Sequence, residues 1–549
     1  MVSTCSAAPA SRWKEWTDDG MENKKQSWIR IAEVLLGVLL GVVLTLTVVR
    51  YRESRRILSA KYIEWRKLNL ILDEIEKNYV DTIDQAGMTD AAIAGALAQL
   101  DPHSVYLPPV KRQQADEELA SNFEGIGIQF NVPNDTAIVL EVIAGGPAEK
   151  AGMLPGDRLL KVDDKVIAGV KFPQDSMVRR MKGPSGTKVL VTVGRGRDVI
   201  PFEIVRGKIP LHSIDAAFMV DETTGYVRLA KFSSATRKDF IEAYTGLLEQ
   251  GMKHLMMDLR DNSGGFLEQA LLLSNEFLSK GDTIVYMEGL HRPREVFRAD
   301  GRGKLKDIGL TVLISENSAS SSEIFAGAIQ DNDRGTIVGR RSFGKGLVQE
   351  QFAFTDESGL RLTVARFYTP SGRCIQKPYD DYEYDIYNRY TGGEVFSADS
   401  VKLNTEDVHH TRSGRVVYGG GGIMPDVFVP VDTTRASAFY IACNRKTTQM
   451  RFAAAMFDKY SKQLLAIDSY PDMDAFLKRI DIPGEFRRFA RNRDGITVSD
   501  AEYAETLEYL LPQLNALVAR YSKLNENAFY KYYLPVDTAV EAALKSIRE

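Results

Sequence analysis

The stretch His254-Leu255-Met256-Met257-Asp258-Leu259-Arg260-Asp261-Asn262-Ser263-Gly264-Gly265 sets an apolar run of strand length against a polar turn closed by two glycines. A buried strand that ends in glycine lets a substrate approach bare backbone, and such a turn could supply an N–H donor. Outward from it, apolar runs and helical periodicities alternate. Gly225 to Phe232 reads as strand, Thr236 to Gln250 as helix, and Phe266 to Leu278 as helix. Thr283 to Met287 and Leu310 to Ser315 read as strands, Ser321 to Gln330 as helix, and Arg361 to Tyr368 as a further strand. That alternation predicts a layered α/β core over 208–434.

At 549 residues, 44% of them hydrophobic, the chain is too long for a single core, and several domains are expected. A formal net charge of -4 gives no electrostatic reason to expect nucleic acid. Cys5, Cys374 and Cys443 allow at most one bridge, and neither they nor the six histidines have metal-ligand spacing. No metal and no organic cofactor is expected.

Two further stretches of the α/β region carry chemical side chains. Ser315-Glu316-Asn317-Ser318-Ala319-Ser320-Ser321-Ser322-Glu323-Ile324-Phe325 is a strand end, a serine cluster and a helix start. Taken alone, Ser320 with Glu323 matches a capping box. Ser342-Phe343-Gly344-Lys345-Gly346-Leu347-Val348-Gln349 places a lysine between two glycines, with a glutamine four residues later. Gly339, Gly344 and Lys345 satisfy most of a phosphate-binding pattern, but Gly346 stands where the metal-binding hydroxyl belongs. Leu347-Val348-Gln349-Glu350-Gln351-Phe352 also reads as strand, where such a loop must open a helix.

Upstream, residues 57–115 read as a helical region ending in the turn Leu100-Asp101-Pro102-His103-Ser104, where His103 reads as a turn-stabilising or packed residue. From 116 to 207 short strands alternate with glycine turns. Phe123-Glu124-Gly125-Ile126-Gly127-Ile128 could offer unblocked N–H groups to a carboxylate while a peptide adds a strand to the sheet edge. Residues 377–415, polar and rich in tyrosine and aspartate, read as a long surface insertion, and 435–549 reads as helical with no recognisable chemistry. Near the N-terminus, Val34 to Val49 carries no charge, and extending back to Ile31 adds only Glu33. This predicts a membrane anchor over 31–50, preceded by an N-terminal segment 1–30. Basic residues on both sides leave its orientation open.

With Gly146-Pro147-Ala148 through Ala151-Gly152-Met153-Leu154-Pro155-Gly156-Asp157, and Gly183-Pro184-Ser185-Gly186-Thr187, the 116–207 module resembles a PDZ domain. The serine stretch, with twenty-five residues from Ser320 to the lysine of Gly344-Lys345-Gly346-Leu347-Val348-Gln349, resembles the C-terminal processing (tail-specific) protease family, in which a PDZ module precedes such a core. The resemblance covers about 60–430 and implies a crotonase-like α/β serine protease core. It further implies Ser320 as nucleophile, Lys345 as general base and Gln349 as the residue orienting the lysine. The backbone N–H groups of Ser321 and of Gly265 or Gly264 would form the oxyanion hole, and Gly125, Ile126, Gly127 and Ile128 would bind the peptide tail. Ser321 stands where alanine is common in the family.

The chemistry is consistent in itself. A serine hydroxyl needs a neighbouring base, and without a His/Asp pair a neutral amine remains. Lysine serves only when deprotonated, which requires several kcal/mol of preference for the neutral form, available from burial. Lys345 is therefore expected largely desolvated and within hydrogen-bond reach of Ser320. The whole reads as a multidomain α+β and α/β protein: transmembrane helix, PDZ domain, protease core and helical C-terminal domain. The resemblance implies a serine endopeptidase of the bacterial inner membrane with its catalytic part in the periplasm, acting on proteins with accessible C-termini. A homo-oligomer through the helical tail is left open. The alternative is a non-catalytic, membrane-tethered PDZ scaffold.

Overall fold

The computed structural model describes residues 35–50, 63–119, 122–132, 135–143, 145–210, 212–380, 382 and 384–548. The chain divides into two compact units, 1–89 and 90–549. In the first, residues 35–50 are helical and exposed, and a second helix spans Ile63–Asn78. Among the described residues no helix is long and apolar enough to cross a membrane. Of the expected 31–50 anchor, residues 35–50 are described. Its first residues, 31–34, and the expected segment 1–30 lie outside the described residues.

The second unit is built on a six-stranded sheet in the spatial order Ile214–Met219, Thr224–Leu229, His254–Asp258, Gly309–Ile314, Thr336–Gly339 and Val427–Phe428. Only the first pair is antiparallel. Leu255, Met256, Met257 and Asp258 are all buried, as a strand covered on both faces requires. The helices Thr236–Glu249, Leu267–Phe277 and Ser321–Asp331 cover one face with Phe240, Phe277 and Phe325.

The opposite face is closed from far along the sequence. Ala539, Val540 and Ala543 of the helix Thr538–Arg548 pack on Tyr226, Met256, Leu313 and Val338. The tail beyond 435 is helical as expected, with a core around Phe452, Phe486, Leu510 and Leu514. Its last helix, however, completes the central layer and is no mere appendage.

A second sheet runs Val105–Leu107, Gly359–Tyr368, Thr283–Gly289, Arg292–Arg298, and Leu347–Ala353 also pairs with Gly359–Tyr368. The region read as 57–115 therefore lends a strand to the core before the 116–207 module begins. That module is a sheet ordered Ile128–Asn131, Ala137–Val142, Arg158–Val162, Lys188–Arg195, Asp198–Val205. Two short helices, Pro147–Ala151 and Gln174–Met181, lie between its strands. The module's entry strand Asn122–Gly125 pairs antiparallel with its exit strand Gly207–Pro210, with Gly125 opposite Gly207. Arg158 makes a bidentate pair with Asp458 of the helical tail, at 2.7 and 2.6 Å.

Residues 377–415 lie largely at the surface, and a few of their side chains reach inward. Lys377, Arg389, Glu394 and Thr411 are all buried. Their charges are consumed by ion pairs and by backbone carbonyls: Lys377 pairs with Asp385 at 2.9 Å, and Arg341 with Glu394 at 2.6 Å. A charged residue tolerates burial only when satisfied in this way.

Candidate active site

Three neighbouring parallel strands, His254–Asp258, Gly309–Ile314 and Thr336–Gly339, end on the same side of the sheet, the usual crevice of open α/β layers. The turns beyond them carry Gly264 and Gly265, Ser320, and Lys345.

The first turn is locked by Asn262, fully buried, whose Nδ2 donates to the Leu229 carbonyl at 2.8 Å while its Oδ1 accepts the Gly264 N–H at 2.9 Å. The Asn262 carbonyl in turn accepts from Ala319 N–H at 3.0 Å and from Ser322 Oγ at 2.8 Å, which joins the two turns. Gly264 has φ 96°, and a Cβ there would lie 2.8 Å from Ser320 Cβ. At Gly265, φ 146°, a Cβ would strike the Phe232 carbonyl oxygen at 2.0 Å. Only glycine fits either place.

Ser320 opens the helix Ser321–Asp331 with φ 55° and ψ -114°, whereas an ordinary N-cap is extended. Glu323 accepts the Ser320 N–H at 2.8 Å, so the capping pair read from the sequence is realised. A capping role alone does not require the left-handed backbone, a conformation that costs energy and gathers at functional sites. Gly265 N–H and Ser321 N–H enter no hydrogen bond among the described residues, while Gly264 N–H is taken by Asn262. Of the two glycines considered for an oxyanion donor, Gly265 is the one with a donor to offer. Ser321 Oγ donates to the Gly265 carbonyl at 2.9 Å and ties the two donors' segments together.

Lys345 lies half-buried on the other wall. Its Nζ donates to Gln349 Oε1 at 3.1 Å, and Gln349 Nε2 donates to the His103 carbonyl at 2.6 Å. The expected Ser320–Lys345 hydrogen bond is not formed among the described residues. Such bonds are often long before substrate arrives. Burial first, then the Arg361 guanidinium, pushes the Lys345 amine below its ordinary value, against the pull of Glu323 and Asp101. His103 is held down to about 4, chiefly by burial and then by Lys345.

Glu323 has a second task that the spacing alone did not suggest. Fully buried, it accepts from Ser342 Oγ at 2.5 Å, Gly344 N–H at 2.7 Å and Lys345 N–H at 2.9 Å, besides Ser320 N–H. Burial pushes its carboxyl up while these donors draw it down. The capping glutamate thus pins the lysine loop to the serine turn. Arg389, from the region read as an insertion, donates to the carbonyls of Ser342 at 2.8 Å and Phe343 at 3.2 Å. Lys377 N–H donates to the Gly344 carbonyl at 3.0 Å. Ser320, Ser321, Gly264, Gly265, Lys345 and Gln349 line one cleft of about 640 Å³, with apolar walls from Ile324, Leu347 and Phe367.

In the 116–207 module the carbonyls of Ile126 and Gly127 accept from Ala148 and Ile143 N–H at 2.8 and 3.0 Å. The N–H groups of Ile126 and Gly127 make no hydrogen bond among the described residues. Gly125 ends the entry strand and Ile128 begins a strand that pairs on one side only among the described strands.

Residues 223–387 match peptidase family S41, and 125–205 match the PDZ domain. The carboxy-terminal processing protease CtpA of Bacillus subtilis (strain 168) is 34% identical over 313 residues, 57% of this chain and 66% of that protein, just under two thirds of its length. The carboxy-terminal-processing protease of Bartonella bacilliformis is 36% identical over 351 residues, 62% of this chain and 80% of that protein. Among solved structures, a photosystem II D1 C-terminal processing protease is 27% identical with a TM-score of 0.36, covering 66% of this chain and 86% of its own.

Proposed function

Since this chain belongs to the carboxy-terminal processing proteases of peptidase family S41, we propose that it is an endopeptidase whose PDZ domain captures protein C-termini and whose Ser320–Lys345 pair cuts a nearby peptide bond. The reading rests on one observation above all: a single cleft gathers Ser320, Lys345 and Gln349 with the unengaged N–H groups of Gly265 and Ser321.

The neutral Lys345 amine takes the Ser320 proton as Oγ attacks the substrate carbonyl. The resulting oxyanion accepts from Gly265 and Ser321 N–H, aided by the positive end of the helix Ser321–Asp331. The ammonium then returns its proton to the departing amine as the C–N bond breaks, leaving an acyl-enzyme. Water repeats the sequence, giving its proton to Lys345 and releasing the acid. Upstream, Gly125 to Ile128 would hold the tail carboxylate on the N–H groups of Ile126 and Gly127, with the peptide added beside Ile128–Asn131. Residues 31–50 would serve as a single inner-membrane anchor with the catalytic part in the periplasm; recovery of the full chain in the soluble fraction would remove that part of the reading.

The test is a reporter protein carrying an apolar C-terminal tail. The full chain is expected to shorten it, and Ser320→Ala and Lys345→Ala to reduce the rate on the order of 10²–10⁴. Binding without shortening by the unaltered chain would leave only the scaffold.

A further inference from the structure

Gln349 owes its orientation to a turn that precedes the PDZ domain by some twenty residues. Its Nε2 meets the carbonyl of His103, which accepts and cannot donate, so the amide is obliged to face Lys345 with Oε1. The turn that presents this carbonyl is built around Asp101. One carboxylate accepts His103 N–H at 2.8 Å, Ser104 N–H at 2.9 Å, Ser104 Oγ at 2.6 Å and Thr363 Oγ1 at 3.1 Å. Ser104 Oγ accepts the Thr363 N–H at 3.1 Å, and Thr363 stands opposite Gln349 in the strand ladder. On its outer side His103 Nε2 meets Tyr382 Oη at 2.6 Å. Directly after the turn, Val105–Leu107 pairs with Gly359–Tyr368 and anchors the whole.

We propose that the Asp101–Ser104 turn is a positioning element of the Ser–Lys pair: by fixing the Gln349 amide it commits one N–H of Lys345 to Oε1 and leaves the amine lone pair for Ser320. This rests on the peptidase reading above. A neutral amine is free to spin about its Cε–Nζ bond, and one fixed acceptor removes most of that freedom. Asp101 and His103 stand outside the cleft that holds Ser320 and Lys345, so their action on the chemistry passes through Gln349.

Electrostatics alone makes the contrary prediction, which gives the test its edge. The charged and titratable groups facing Lys345 are Arg361, Glu323, Asp101 and His103. Removing the Asp101 charge takes away a group that raises the lysine. As a pure charge effect, Asp101→Asn would move the reactivity profile to lower pH with its alkaline plateau intact. The positioning role lowers the plateau itself.

The experiment measures the labelling rate of Ser320 by a fluorophosphonate probe across neutral to alkaline pH, on the full chain. Asp101→Asn is expected to lower the plateau about tenfold, the scale of one well-placed hydrogen bond. In a Gln349→Ala background the same change is expected to cost no more than about twofold further, because the path is already cut. Ser104→Ala, a milder change, is expected to lower the plateau about threefold with the same loss of effect in Gln349→Ala. An intact plateau, or effects that multiply in the double variant, overturns the proposal. Labelling that persists in Ser320→Ala overturns the peptidase reading instead, whatever the turn does.

Discussion

Ser320 sits in a turn whose contacts run to Asn262, Gly264 and Glu323, whereas Lys345 sits in a loop tied to His103, Lys377 and Arg389. The serine side is stiff because backbone is pressed on backbone: no side chain fits at Gly264 or Gly265, and Ser320 itself holds a left-handed conformation. The lysine side is assembled by hydrogen bonds from three distant parts of the chain. Glu323 serves both through its four donors, and Phe343 N–H, donating to the Ser318 carbonyl at 3.0 Å, also joins them. The contrast suggests that an exactly placed serine is obtained from steric compression, and an amine with a lowered proton affinity from a satisfied but adjustable polar frame.

The contrast can be broken most severely at Gly264. A Cβ there would lie 2.7 Å from the Ala319 carbonyl oxygen and 2.9 Å from Ser321 N, at a φ unfavourable to alanine. Gly264→Ala is expected to lower probe labelling on the order of 100-fold while tail-peptide binding to the PDZ domain persists. On the lysine side, Arg389→Met removes the donors to the carbonyls of the Lys345 loop but leaves Glu323 in place. A smaller loss, about tenfold in kcat with KM unchanged, is expected because a polar frame can relax. Equal effects of the two changes would erase the distinction between the two sides.

The smallest effect concerns pH and stability. His103, held down to about 4 against an ordinary 6.5, stays neutral in the fold. Its contribution to stability is complete above 6.5 and is lost as pH falls from there toward about 4. Asp215, pushed up to about 6 chiefly by burial, works in the opposite sense: its contribution is complete below 3.8 and is lost as pH rises toward about 6. His103→Asn is expected to flatten the rise of the urea midpoint between these limits, and Asp215→Asn to steepen it. His254, lowered likewise to about 4, keeps some slope in the His103 variant.

Legibility in the sequence divides along the same line. Most central helices and strands declared themselves by periodicity to within about three residues, the strands Ile214–Met219 and Thr336–Gly339 went unread, and the Gly264–Gly265 turn and Ser320–Glu323 pair are local patterns. The His103 carbonyl reaches Gln349 across 246 residues, and no local pattern can announce a backbone acceptor at that separation. In 377–415 the polar composition announced a largely exposed segment, but not that Arg389 and Lys377 are spent on carbonyls and a carboxylate inside the fold. The helix Thr538–Arg548 shows an apolar stripe in sequence, but the stripe does not say that its partner is the back of the central sheet.

The PDZ domain leaves and rejoins the core at two facing glycines, Gly125 and Gly207, one ladder rung apart. Everything between them is a detour that returns to its own doorstep. A short reverse turn in place of that detour would keep the doorway strands in register, and a foreign recognition module with adjacent ends could be fitted at the same threshold. The module and the core are thus joined by main chain at that single threshold and elsewhere through side chains such as the Arg158–Asp458 pair.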